Sequence, residues 1–136
     1  MSLLFEPKNF NVLIVDDEPD MHSVLGRMLV KANYNVDSAY SAEEAFHKIE
    51  SKKPDLIILD IMMPKVSGIE MCKDLRENPR TKDILILIIS ARDTQRDRLE
   101  GLVQGADDYV SKPFHVRSLL RKIEHMLVKR MEVQEY

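Results

Sequence analysis

Asp16, Asp17, Asp60, Ser90 and Lys112 are the residues whose types and spacing can do chemistry together. Three short apolar runs, Val12 to Val15, Leu56 to Leu59 and Ile84 to Ile89, and a short last strand, Tyr109 to Ser111, lead to them. Such runs read as strands covered on both faces, and open parallel sheets gather ligands at the carboxyl ends of their strands. All five side chains are therefore predicted on one rim. Two carboxylates about 4 Å apart repel by roughly 4 kcal/mol at an effective dielectric of 20, so three together need a cation or raised pKa values. Oxygen donors without His or Cys favour Mg2+ or Mn2+, and Mg2+ shares its coordination with water and phosphate oxygens. The Ser90 hydroxyl and Lys112 ammonium suit the oxygens of a transferring phosphoryl group, which makes Asp60 the candidate nucleophile.

Each position has a plainer explanation when taken alone. Asp16-Asp17-Glu18 can be a solvated helix start favoured by the helix dipole, Lys112 a surface lysine, and Asp60 a polar residue that ends a strand. The joint placement on one rim is what argues for a site.

The elements that must position these residues follow from periodicity and punctuation. Pro19 suits a first helical turn, and Met21, Val24, Leu25, Met28, Leu29 and Ala32 recur at helical spacing behind it. Val36 to Tyr40 reads as a second strand, followed by a helix capped by Ser41 with Glu44 as capping-box partner and buried through Ala42, Ala45, Phe46 and Ile49. After Asp60, Met63-Pro64 breaks the pattern, and Ser67-Gly68 opens a third helix through Ile69, Cys72 and Leu75. The fourth helix, Asp93 to Gln104, is the weakest and is predicted to be mobile. Leu99, Leu102 and Val103 are its apolar anchors, and Gly101 costs about 1 kcal/mol relative to Ala. Val116, Leu119, Leu120, Ile123, Met126 and Leu127 mark a long closing helix. Five alternations of strand and helix argue for an α/β protein, a doubly wound parallel sheet with helices on both faces and right-handed crossovers.

Composition removes several function classes. The 136 residues suit one domain, drawn here as residues 11–129 between an N-terminal extension, 1–10, and a tail, 130–136. The net charge of -3 comes from interspersed acids and bases, so direct nucleic-acid binding lacks a basic stripe. A single cysteine, Cys72, allows no internal disulfide and is expected half-buried on its helix. No apolar run approaches a membrane span and no leader is legible, so a cytoplasmic protein without a membrane partner is expected. His22, His47, His115 and His125 lack ligand spacing and are expected at the surface, and Asp107 and Asp108 in a solvated loop.

Val15-Asp16-Asp17-Glu18-Pro19, Pro54 to Asp60 with Met63-Pro64 and Gly68, Ser90-Ala91-Arg92, and Gly105 to Tyr109 leading to Lys112-Pro113-Phe114 form one set. With them the chain, from Val12 to about Leu127, resembles the receiver domain of two-component response regulators, of the chemotaxis-regulator type. The resemblance implies a flavodoxin-like (βα)5 fold with strand order 2-1-3-4-5. It implies phosphoryl acceptance by Asp60 from a sensor histidine kinase or a phosphotransfer protein. It assigns Mg2+ to Asp16, Asp17, Asp60 and the backbone carbonyl of Met62, phosphate contact to Lys112, and switching to Ser90 and Tyr109. The Lys112-Pro113 bond is implied to be cis, and Met62 and Arg92 to tune the lifetime of the phosphate. The face made by the fourth helix, fifth strand and fifth helix is implied to change its affinity for a downstream target, an output domain or a second copy. The result is a signalling domain, alone or as part of a longer regulator or hybrid kinase. Two alternatives, one an enzyme and one a binding module, fit less well. A haloacid-dehalogenase-type phosphatase wants a second Asp where Met62 stands, and a flavin module wants a hydroxyl-rich phosphate loop where Asp16-Asp17-Glu18 would repel phosphate.

Overall fold

Alternate residues of the central strands enter two separate cores, which is why their sequences read as continuous apolar runs. In the computed structural model, which describes residues 4–135 apart from Pro64 and Asp93, the strands are β1 (Asn11–Val15), β2 (Asn35–Ala39), β3 (Leu56–Leu59), β4 (Leu85–Ser90) and β5 (Asp108–Ser111). They form one parallel sheet of order β2-β1-β3-β4-β5. This is the flavodoxin-like α/β fold. The helices are α1 (Pro19–Lys31), α2 (Ala42–Ser51), α3 (Gly68–Glu77), α4 (Gln95–Val103) and α5 (Val116–Glu135). Pro64 of the expected Met63-Pro64 turn and Asp93, the expected start of the fourth helix, lie outside the described residues, as do residues 1–3 and Tyr136.

Leu13, Val15, Ile57, Leu59, Ile86 and Ile88 face one core, completed by Ala45 and Ile49 of α2 and by Met71, Cys72 and Leu75 of α3. Val12, Ile14, Leu56, Ile58, Leu87 and Ile89 face the other, with Leu25 and Leu29 of α1 and Leu119, Ile123 and Leu127 of α5. Phe5 and Phe10 stack at 5.2 Å and pack on this second core, so the residues just before β1 join it. α5 passes residues 129 and 130 unbroken.

Local sequence explains where the helices start. Ser41 Oγ accepts from the Glu44 N–H at 3.1 Å, and the Glu44 carboxylate reaches back to the Tyr40 N–H at 3.1 Å. Ser67 Oγ accepts from the Glu70 N–H at 3.2 Å. Thr94 and Asp97 form a reciprocal capping box on α4.

Several expectations are corrected. The second strand starts and ends one residue earlier than Val36 to Tyr40, because its pairing with β1 begins at Asn11 and Asn35. The fourth runs through Ser90 because Ser90 pairs with Ser111. Val24 and Val116 are exposed, whereas Cys72 is fully buried and not half-buried. Burial pushes the Cys72 thiol up to about 11, against the pull of the Arg76 guanidinium.

The largest correction concerns α4. Leu99, Leu102 and Val103, its large apolar side chains, are exposed at 59%, 44% and 72%, and its buried positions are Asp97 and Gly101. Gly101 lets α4 approach the sheet: a β-carbon there would lie 2.8 Å from Ile88 Cδ1 and 3.3 Å from Tyr109 Cδ2.

Asp107 is also not a merely solvated loop residue. Its Oδ2 accepts from the Ile86 N–H at 2.8 Å and from Arg76 at 2.7 Å. Arg76 further donates to the carbonyls of Gly105 at 2.8 Å, Lys82 at 2.9 Å and Ile84 at 2.6 Å. Its stem occupies the place of a β-carbon on Gly105, which has φ 115° and would set that carbon 2.5 Å from Arg76 Cγ. Asp108 opens β5 and pairs with Lys122 at 2.7 Å.

Candidate functional site

Parallel register assembles the rim. Val15 lies beside Leu59 and Leu59 beside Ile88, so Asp16 and Asp60 leave the sheet at the same level and Ser90 lies one residue beyond it. The Asp60 N–H donates to the Val15 carbonyl at 3.0 Å and the Lys112 N–H to the Ser90 carbonyl at 2.9 Å, which extends the ladder past the ends of the strands.

Asp16 and Asp60 are both buried, at 3% and 4% exposure. The Lys112 ammonium joins them, 3.2 Å from Asp16 Oδ2 and 3.1 Å from Asp60 Oδ2. Burial works against the lysine charge, but the carboxylates of Asp60 and then Asp16 outweigh it and hold the ammonium above the ordinary lysine value. Backbone amides occupy the other oxygens: Glu18 N–H to Asp16 Oδ1 and Met62 N–H to Asp60 Oδ1, each at 2.9 Å.

Carboxylate oxygens of Asp16, Asp17, Glu18 and Asp60 all lie within 4.8 Å of one another. One lysine cannot neutralise four acids at such spacing. A hard divalent cation fits this oxygen-only donor set, whereas zinc would want His or Cys. Glu18 is a further potential donor not singled out from the sequence, where it stood as part of the acidic loop.

Ser90 is fully buried, and its Oγ accepts from the Arg92 N–H at 3.1 Å. Tyr109 is buried at 3% exposure and its hydroxyl donates to the Arg92 carbonyl. The Arg98 guanidinium lies 5.3 Å from the centre of the Tyr109 ring, and Arg92 pairs with Asp97 at 3.0 Å. The loop after β4 thus ties Ser90, Tyr109 and the first turn of α4 together. Met62 is exposed at 53%. The Lys112-Pro113 bond is cis.

Two neighbours shape the rim, one expected from the sequence at the start of the third helix and one not expected there. Gly68 lets α3 begin against the loop after Asp60: a β-carbon would lie 2.5 Å from Ile61 Cα and 2.6 Å from the Asp60 carbonyl oxygen. His22, expected at the surface, is buried at 6% exposure, and its Nε2 lies 2.7 Å from the Asp16 carbonyl oxygen. The only hint of that contact is its place in the first turns of the helix behind the acidic loop.

Residues 12–124 match the response regulator receiver domain. The chain belongs to that family. The receiver domain is 42% identical over 125 residues to the alkaline phosphatase synthesis transcriptional regulatory protein PhoP of Bacillus subtilis, covering 92% of this chain and 51% of that one. Among solved structures, a two-component response regulator from Clostridium difficile superposes with a TM-score of 0.83 at 33% identity, over 90% of this chain and 98% of that one. Chemotaxis response regulator CheY4 of Vibrio cholerae gives 0.80 at 30% identity, over 85% and 97%. The receiver domain spans about half the length of the curated relatives it matches. It is a signalling domain by family. Among its described residues no helix is long and apolar enough to cross a membrane.

Proposed function

We propose that this receiver domain accepts a phosphoryl group on Asp60 from the phosphohistidine of a sensor histidine kinase or a phosphotransfer protein in the cytoplasm. The observation that carries this reading is the buried Asp60 carboxylate, fixed by Lys112 at 3.1 Å within a tight acidic cluster. Asp16, Asp17 and Asp60, with the Met62 carbonyl, would hold Mg2+, which neutralises the carboxylates and stabilises charge on phosphoryl oxygens.

Asp60 supplies the nucleophilic oxygen. Its new bond to phosphorus forms as the bond from phosphorus to the imidazole nitrogen breaks, and the electron pair stays on the imidazole. Lys112 exchanges its carboxylate contact for a phosphoryl oxygen, and Ser90 turns its hydroxyl from the Arg92 amide to another. That movement loosens the loop carrying Arg92 and removes the carbonyl to which Tyr109 donates, so Tyr109 changes rotamer. The face of α4, β5 and α5, where Leu99, Leu102 and Val103 are exposed, then changes its affinity for a target, an output domain or a second copy. Met62 and Arg92, flanking the acceptor, set how long the phosphate survives.

Incubation with Mg2+ and labelled acetyl phosphate, or with a phosphorylated kinase, is expected to give one base-labile adduct. Asp60→Asn should abolish it. Equal labelling of Asp60→Asn and the wild type overturns the assignment.

A further inference from the structure

His22 is the one residue, among those described, with a buried side-chain nitrogen that has no partner: Nδ1 meets nothing, while Nε2 lies 2.7 Å from the Asp16 carbonyl oxygen. A carbonyl only accepts, so Nε2 carries the hydrogen, and in the neutral ring Nδ1 is then a bare lone pair. The Tyr40 ring packs on the imidazole with centroids 4.1 Å apart and planes tilted by 35°.

The bond grips a particular peptide. β1 ends at Val15, so the Asp16 carbonyl has left the sheet, and its peptide plane continues into the amide of Asp17. Fixing that plane fixes how the backbone presents both residues. The rest of Asp16 is held independently: its N–H by the Ala39 carbonyl at 3.1 Å, Oδ1 by the Glu18 N–H and Oδ2 by Lys112. The contact from His22 is the one shown to the carbonyl of the 16–17 peptide, and it fixes the orientation of that plane.

We propose that His22 is a positioning residue for the divalent cation site, its Nε2–H locking the Asp16-Asp17 peptide so that both carboxylates are presented together. This rests on the Mg2+ reading above. Groups that orient metal ligands from behind commonly change metal affinity by about 10- to 100-fold when removed. A merely packed histidine would not alter Mg2+ affinity, because its ring would serve the fold and not the loop.

Two substitutions separate ring from donor. His22→Phe keeps a ring for Tyr40 and loses the N–H; His22→Gln loses the ring and keeps an amide donor at the position of Nε2. Mg2+ titration of the full chain by calorimetry is expected to show binding weakened about tenfold in His22→Phe and restored to within about threefold of wild type in His22→Gln. Phe binding as tightly as wild type, or Gln as weakly as Phe, overturns the proposal. Wild type that takes up no Mg2+ overturns the cation reading and this inference with it. A measurement on the unsubstituted chain guards against variants that fail to fold. Nitrogen NMR should show His22 with Nε2 protonated and its signal displaced on Mg2+ addition; a ring without a hydrogen on Nε2, or a signal indifferent to Mg2+, is equally fatal.

Discussion

Helix α3 buries Met71, Cys72 and Leu75 in the core, whereas α4, packed beside it on the same face, buries Asp97 and Gly101 and leaves Leu99, Leu102 and Val103 in solvent. The first is held by apolar area, which is non-directional and lost only by exposing it to water. The second is held by directional contacts: the Thr94–Asp97 capping box, the Arg92–Asp97 pair and Arg98 over Tyr109. Hydrogen bonds and ion pairs can be exchanged for others at small net cost. Under the proposed function, a movement of Ser90 would reset a helix attached in this way without disturbing the core that α3 shares.

Leu75→Ala tests the stronger side of this contrast. It is expected to destabilise the domain by about 2–5 kcal/mol in urea unfolding, since the site is fully enclosed. A loss below 1 kcal/mol would break the comparison. Gly101→Leu is the largest change expected from α4, about 1–3 kcal/mol, because the new side chain must displace Ile88 and Tyr109. Thr94→Ala removes half of the capping box and is expected to cost about 1 kcal/mol, with amide exchange quickening across α4 but not across α3.

The pH dependence sharpens the same point. The Thr94 hydroxyl, and after it the Thr94 amide and Arg92, hold the Asp97 carboxyl below its usual range against the opposing effect of burial. A depressed folded-state pKa gives stability that is present above the unfolded value, about 3.9, and lost as pH falls through the folded one. Below about pH 4, amide protection of α4 should therefore fall before that of α3, and Asp97→Ala should remove this acid sensitivity. Smallest of all, Leu99→Ser or Val103→Ser is expected to change stability by no more than about 0.5 kcal/mol, as at an ordinary surface position.

The strands and the rim were legible because parallel sheets write themselves simply: an apolar run, then a polar or charged residue where it stops. Asp16, Asp60, Ser90 and Lys112 each stand at such a boundary, and their closeness follows from register alone. The orientation of α4 was not legible. Leu99, Leu102 and Val103 have the spacing of a buried stripe, and periodicity says which residues share a face without saying which way that face turns. The polar contacts escaped for a different reason. Arg76 and His22 bond mainly to backbone carbonyls, which every residue possesses, so no partner type marks them in the sequence.

Arg76 and Gly105 have a consequence for how such a chain can drift. The arginine stem fills the space that any side chain at 105 would need, and the backbone there has φ 115°. Replacing Gly105 first would evict Arg76, strand the carbonyls of Lys82 and Ile84 and leave the Asp107 carboxylate with the Ile86 N–H alone. Shortening residue 76 first clears the space but gives up the same bonds to Lys82, Ile84, Gly105 and Asp107, and the backbone constraint then remains, which Asn tolerates better than most residues. The two positions are therefore coupled: whichever changes first gives up the Arg76 bonds, and the other then changes with those bonds no longer at stake.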